Sequence, residues 1–397
     1  MIAKYNVLPA FFIVKIILDF FSPFRELNIV LQLCFILPIL LDRHFLNFIV
    51  KRKLNFVLLY FFFYVVISKN IQSVKIFIAV LLYCIFLFIG YKSIFNTIIK
   101  RSKLIWRVGL ICFSVSLLIS LFKGSYARRE FYNFEHVNLL GTYFVFISLF
   151  YLIYYQDRKK NAYSIKFSSL NLAVGSYLTL STGAFVTQIT AFIPLKYYKL
   201  KNVLLLLIIL IIAFVSFYYI TNSVSPDLHQ KIFGSINYFR KEISLKEFYQ
   251  ESIHQSLVLN ESENSGSFTW RIFSYTFYLY KIFNQDFVNI VFGSGVESFL
   301  QYADFAPHND FIAILLDFGL LGLFCFLSFL YKFFKMGIQS SSRVAIAFIV
   351  FVVLRLLFEN VIYSSYVFSL ITSLGGLLYG SLLRNTNTNR HENTLCV

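Results

Sequence analysis

The chain has 397 residues, of which 58% are hydrophobic and 14% charged, with a mean hydropathy of +0.71. That composition excludes an ordinary soluble domain and points to a polytopic membrane protein. The formal net charge of +17 would suggest nucleic acid in a soluble chain. Here the basic residues lie between apolar runs, where membrane topology accounts for them, and nucleic acid is not an expected partner.

Taken in order, apolar spans are expected at 7–22, 27–41, 54–68, 72–91, 104–122, 138–155, 167–182, 184–199, 203–221, 308–331, 344–363 and 364–383. This predicts an all-α polytopic membrane protein of about 12 transmembrane helices. The first span follows Lys4 and shows no small-residue cleavage site, so it is read as retained. Every second loop is basic: Arg43 with Lys51, Arg52 and Lys53; Lys92 with Lys100, Arg101 and Lys103; Arg158 with Lys159, Lys160 and Lys166; Lys196 with Lys199 and Lys201; Lys332 with Lys335 and Arg343. Positive charge favours the cytoplasmic side, so both termini are expected there. Segments 22–27, 69–71, 123–137 and 222–307 then lie outside. The predicted organisation is an N-terminal membrane domain of about nine spans over 1–221, an extracytoplasmic loop over 222–307, C-terminal spans over 308–383 and a cytoplasmic tail over 384–397. The five cysteines (Cys34, Cys84, Cys112, Cys325 and Cys396) have no C-x-x-C spacing and support neither a disulfide framework nor a metal site.

The 222–307 loop has 86 residues and carries nine acids against six bases. A structureless loop of that length is uncommon unless functional. Residues Phe268 to Phe287 have helix-like apolar spacing after the flexible Glu261 to Ser267, and Phe292-Gly293-Ser294-Gly295 reads as a turn. Short amphipathic helices are therefore expected over this segment.

Four places could carry chemistry. The first is Pro307-His308-Asn309-Asp310, at the end of the polar segment, followed by an apolar run containing Asp317, Gly319 and Gly322. On a straight helix Asp317 lies roughly 13 Å below His308, close to mid-membrane. A histidine at the outer surface can take a proton from a hydroxyl near neutral pH, or can be an interfacial residue with no catalytic part. Gly319 and Gly322 permit close approach of another helix. The second place is Phe268-Thr269-Trp270-Arg271: the arginine can grip phosphate oxygens in two parallel hydrogen bonds, or Trp270 and Arg271 can serve as an interfacial anchor. The third is the outer loop with Arg128, Arg129, Glu130, Glu135, His136, Asn138 and Gly141. Its two arginines either bind an anionic lipid-linked substrate or pair with the nearby glutamates. The fourth is Arg355 and Glu359, four apart in an apolar span and expected to pair within one helix. P-loop, G-x-S-x-G, H-E-x-x-H and dinucleotide motifs do not occur, so nucleotide hydrolysis has no sequence support.

His308-Asn309, nine residues, Gly319, two residues and Gly322 resembles the H-N-x9-G-x-x-G pattern of the O-antigen polymerase and O-antigen ligase superfamily. Asp317 sits where that family commonly has an acid. Trp270-Arg271, the following amphipathic stretch and Phe292-Gly293-Ser294-Gly295 are similar to the family's arginine, helix and glycine turn before the histidine. Asn138 and Gly141 resemble its asparagine motif after an early outer loop. The chain departs from the family at Leu180-Ser181-Thr182-Gly183-Ala184-Phe185, where an arginine is common. This shifts phosphate binding toward Arg271 and the Arg128-Arg129 pair.

The resemblance implies a GT-C-like, metal-independent, inverting glycosyltransferase without cofactors. It would use undecaprenyl-diphosphate-linked glycans at the outer face of the cytoplasmic membrane. His308 would then be the base and Arg271 the diphosphate ligand, with Arg128, Arg129, Asn138 and Asn309 toward substrate. Asp317, Gly319 and Gly322 would be structural support. A chain-length regulator and a flippase are candidate partners beside the lipid bilayer. Polymerisation of repeat units is the first expectation. Ligation of finished glycan to lipid A-core and transport as a flippase are the alternatives; the absence of a visible internal repeat counts against transport.

Overall fold

The computed structural model describes residues 8–21, 25–92, 95–123, 137–157, 266–340 and 342–395, with isolated residues at 187, 215, 219, 223, 249, 250 and 252. The expected spans at 167–182, 184–199 and 203–221 fall almost wholly outside these residues. All regular structure among the described residues is helical: α1 Leu8–Phe21, α2 Arg25–Leu40, α3 Arg43–Lys51, α4 Leu54–Ser68, α5 Ile71–Tyr91, α6 Phe95–Phe122, α7 Val137–Asp157, α8 Gly266–Phe283, α9 Phe287–Phe292, α10 Asp310–Gln339, α11 Arg343–Phe358 and α12 Ser365–Leu395. A 3-10 turn covers Ser298–Gln301. The helix starts carry short polar caps: Asn70 accepts from the Ser73 N–H at 2.8 Å, and Asp286 from the Asn289 N–H at 2.9 Å.

Four helices are long and apolar enough to cross a membrane: α5, Lys100–Phe122 of α6, α10 and Ser365–Thr386 of α12. The bent pair α2 and α3 would make a fifth, turning by 86°. The chain is thus a multi-pass helical membrane protein with four to five candidate spans among the described residues. Three of the twelve expected spans lie almost wholly outside those residues, and some of the others are short helices. α4 has 15 residues and α11 has 16, or about 22–24 Å at helical rise, against a hydrocarbon core of about 30 Å. The basic segment after α2, expected as a loop, forms α3, and the expected tail from 384 continues α12 as helix to Leu395.

The chain divides into two units. One comprises Met1–Leu195, Leu327–Arg355 and Val361–Val397; the other comprises Lys196–Phe326 and Leu356–Asn360. In the first, α5 packs along α12. Gly376 and Gly380 meet the α5 backbone around Tyr83 and Leu87, and Gly90 meets Leu377 and Ser381, so a side-chain carbon at any of these would strike main chain. This is the small-residue route to close helix approach in a medium that offers little hydrophobic drive. A buried polar cluster crosses the same unit. Lys15 Nζ lies 2.8 Å from Asp19 Oδ2, and Asp19 also accepts from the Asn28 amide and the Tyr143 hydroxyl. Gln32 continues it to Asn28 and to Ser369 at 3.3 Å, tying α1, α2, α7 and α12 together. Arg355, fully buried, donates from Nε to Thr142 Oγ1 at 2.7 Å.

In the second unit the expected helix over 268–287 appears as α8, and the expected glycine turn follows α9. The long helix α10 is not straight. Its backbone breaks at Gly319, with φ 66 and ψ −171. The ring centroids of Phe311 and Phe326 are 6.0 Å apart, whereas fifteen residues of straight helix rise about 22 Å. The stretches 310–318 and 320–326 on either side of the break therefore fold toward each other.

Candidate functional site

The break in α10 is built by the glycine turn. Interrupting the helix releases the carbonyls of Leu316 and Asp317, which then accept from the Ser294 N–H at 2.9 Å and the Gly295 N–H at 3.1 Å. Released carbonyls in apolar surroundings need such partners. The approach is main chain against main chain. A Cβ on Gly293 would meet the Asp317 carbonyl, and one on Gly319 would meet Val291 and Gly293; both glycines also have positive φ. Gly319 thus lets the break in α10 close against the C-terminal end of α9 and the turn that follows it. Gly322 is buried in the stretch after the break.

Asp317 completes the joint. Its side chain is fully buried and accepts from the Glu297 N–H at 3.2 Å, the Ser298 N–H at 3.2 Å and the Ser298 hydroxyl at 2.9 Å. The carboxylate pins the turn that precedes the strap 302–307, which carries the chain to His308.

Phe305 anchors that strap on α8. Its ring centroid lies 5.0 Å from Trp270, 5.9 Å from Phe273, 5.7 Å from Phe277 and 5.6 Å from Tyr278, and its carbonyl accepts from the Tyr278 hydroxyl. Trp270 therefore belongs to an aromatic cluster within this unit. Three residues on, His308 takes a left-handed backbone with φ 51 and is half-buried. For a histidine this conformation is uncommon, and it persists where surrounding contacts hold it. Asn309 caps α10: its Oδ1 accepts from the Phe311 N–H at 2.9 Å and the Ile312 N–H at 3.2 Å. Asn309 is 7% exposed, and the cap is the role the geometry gives its side-chain oxygen. Asp310, fully buried, follows in the first helical turn.

Tyr275 joins this corner to Arg271. It lies one helical turn beyond Arg271 on α8. Its hydroxyl is 2.8 Å from the Leu357 carbonyl and 3.2 Å from the His308 carbonyl, and it receives a hydrogen bond from the Asn309 side chain. Burial raises its pKa above the ordinary phenol value, with the Arg271 charge opposing the shift. The phenol accordingly keeps its proton near neutral pH and acts as donor to these carbonyls. Beyond Leu357, α11 ends at Phe358. Glu359 then faces Arg271, with Oε1 3.6 Å from Nη2, and the two side chains are 8% and 21% exposed. α11 stops before Glu359, whose carboxylate meets Arg271. At 3.6 Å the pair is looser than a charge-assisted hydrogen bond of about 2.7–2.9 Å.

Arg271, Tyr275, His308, Asn309, Leu357 and Glu359 thus form one corner of the second unit. Asn138 lies in the first turn of α7, in the other unit. Arg128, Arg129 and the 180–185 stretch lie outside the described residues. Sequence reasoning missed Tyr275 and Phe305, whose signal was a place on an aromatic-rich amphipathic stretch one turn from Arg271 and three residues before His308. It also missed Lys15 and Asp19, charges four apart in an apolar run. Among the described residues, His, Cys, Asp and Glu form no cluster able to hold a metal ion. No protein-family model matches the chain, and no curated protein matches it either.

Proposed function

We propose that the protein is a polysaccharide polymerase of the cytoplasmic membrane. It joins oligosaccharide repeat units carried on a lipid diphosphate at the extracytoplasmic face, within a GT-C-like frame of about twelve spans. The single observation that carries this reading is the corner at Tyr275, whose hydroxyl meets the His308 carbonyl one helical turn from Arg271, at the end of a long polar segment. A base and an anion ligand are what glycosyl transfer from a lipid diphosphate requires.

In the reaction an acceptor sugar hydroxyl attacks the anomeric carbon of the donor. His308 takes the hydroxyl proton as the new carbon–oxygen bond forms. The bond from the anomeric carbon to the diphosphate oxygen breaks, its electron pair leaving with the lipid diphosphate, whose charge Arg271 stabilises; the configuration inverts. Glu359 orients the Arg271 guanidinium, and Tyr275 with Asn309 holds the His308 backbone. Asp317 and Gly319 keep the strap in place.

A transporter reading draws on the buried Lys15–Asp19–Asn28–Gln32 cluster, since polar groups inside spans often mark a path. These groups hydrogen-bond one another across helices, as a brace does. The glycan profile of a deletion strain separates the readings. A polymerase predicts surface core carrying single repeat units, restored to a ladder by the wild-type gene and not by His308→Ala. Long chains held on the lipid carrier would indicate ligation instead, and an unchanged ladder would leave transport or another role.

A further inference from the structure

The basic face around α3 is not used by the proposed reaction. α2 ends at Leu40 and the chain turns by 86° into α3. The inner side of α3 (Phe45, Phe48 and Ile49) is buried. It packs on the C-terminal end of α5: Phe45 lies 5.6 Å and Phe48 5.4 Å from Phe88, and Phe48 is 5.3 Å from Tyr91, between ring centroids. α3 thus lies across the end of a membrane span. Its outer side mixes exposed apolar residues (Leu46 at 49% and Val50 at 64%) with exposed Arg43 and Lys51, and exposed Leu41, Arg52 and Lys53 flank its ends. Lys92, at the end of α5, adds to the same charge, and its ammonium lies 5.9 Å from the Phe88 ring centroid. The one nearby acid in this segment, Asp42, is committed as the α3 cap, accepting from the His44 N–H at 2.8 Å.

Two placements suit a helix bent this sharply from a span. A re-entrant hairpin would carry Arg43, Lys51, Arg52 and Lys53 into hydrocarbon, which charged groups resist. A surface helix leaves Leu46 and Val50 in the acyl boundary and the cations among headgroups. Arg52, at the C-terminal end of α3, stacks on the edge of the α3–α5 seam, its guanidinium 5.1 Å from the Tyr91 ring centroid and 5.9 Å from that of Phe48. We infer that α3 is an interfacial helix whose basic edge binds anionic phospholipid headgroups of the cytoplasmic leaflet. The occupant is a lipid because apolar and basic groups share one exposed side; a free phosphate would use only the charges.

The test uses the full-length protein purified in detergent, incubated with mixed micelles of phosphatidylglycerol and phosphatidylcholine, and the lipids retained after washing are quantified. Wild type is expected to retain phosphatidylglycerol preferentially. The combined Arg43→Gln, Lys51→Gln, Arg52→Gln and Lys53→Gln variant is expected to lose that preference by about five-fold or more, since each cation contributes to anionic-lipid attraction. A control with Lys100→Gln, Arg101→Gln and Lys103→Gln is expected to keep it. Equal retention by wild type and the α3 variant would overturn the inference, as would an equal loss in the control. Should the α3 variant fail to fold, wild type decides alone. Raised salt must then abolish the phosphatidylglycerol preference while leaving phosphatidylcholine retention unchanged, and a preference insensitive to salt overturns the inference.

Discussion

Asp317 offers the sharpest physical prediction. Its carboxylate accepts two backbone N–H groups and one hydroxyl in a fully buried setting. Asp317→Leu would leave all three donors without that acceptor, at about 1–3 kcal/mol each, or about 3–9 kcal/mol together. A folded domain is stable by only about 5–15 kcal/mol, so this variant is expected to accumulate poorly in the membrane. Asp317→Asn is milder. One orientation of its amide keeps an oxygen for Ser298 but sets an NH2 against the Glu297 N–H, costing about 2–4 kcal/mol with the lost charge assistance. The assay is thermal unfolding of detergent-purified protein, followed by loss of the monodisperse peak on gel filtration after heating. Wild type, asparagine and leucine variants should rank in that order. If Asp317→Leu accumulates and melts like wild type, the reasoning that this carboxylate holds the broken helix to the strap is wrong.

Gly319→Ala forces a side chain into positive φ, at about 1–3 kcal/mol, and sets its Cβ against the Val291 carbonyl. A melting temperature lowered by several degrees checks this, and an unchanged one would mean the helix runs straight. Tyr275→Phe removes the hydroxyl shared by the His308 and Leu357 carbonyls. Loss of about 1–3 kcal/mol of positioning predicts kcat lower by roughly five- to 150-fold with KM little changed, and a loss confined to KM would contradict it. Arg271→Lys should be nearly as damaging to activity as Arg271→Ala, because an ammonium cannot grip two oxygens in parallel; full activity in the lysine variant would reduce Arg271 to a plain charge.

Much of the architecture was legible in the sequence because apolar runs of helical length are its strongest signal. α5 and α12 follow directly from their runs, and α8 follows from spacing in a polar segment. The bend of α10 was not legible. Gly319 in an apolar run reads as a packing glycine, and only Ser294 and Gly295, some 22–25 residues upstream, supply the partners that permit a break. The role of Glu359 was hidden for a related reason. Spacing of four suggested Arg355, but spacing cannot say where a helix ends, and Arg271, which Glu359 also meets, lies 88 residues away in the chain. His308 and Asn309 were visible as residue types. That Asn309 caps α10, and that Tyr275 holds the His308 carbonyl, depends on contacts distant in sequence. Among the described residues four to five helices have the length to cross, and several apolar helices are shorter, because hydropathy marks apolarity whereas crossing also requires length.

The most direct test of the proposed function is chain growth by the purified protein in liposomes, supplied with lipid-diphosphate-linked oligosaccharides extracted from the deletion strain. Wild type is predicted to convert single repeats into a ladder and release lipid diphosphate, while His308→Ala, purified with an unchanged melting temperature, produces neither. A ladder of wild-type length from His308→Ala would contradict a catalytic histidine, and no chain growth from folded wild type would contradict polymerisation itself.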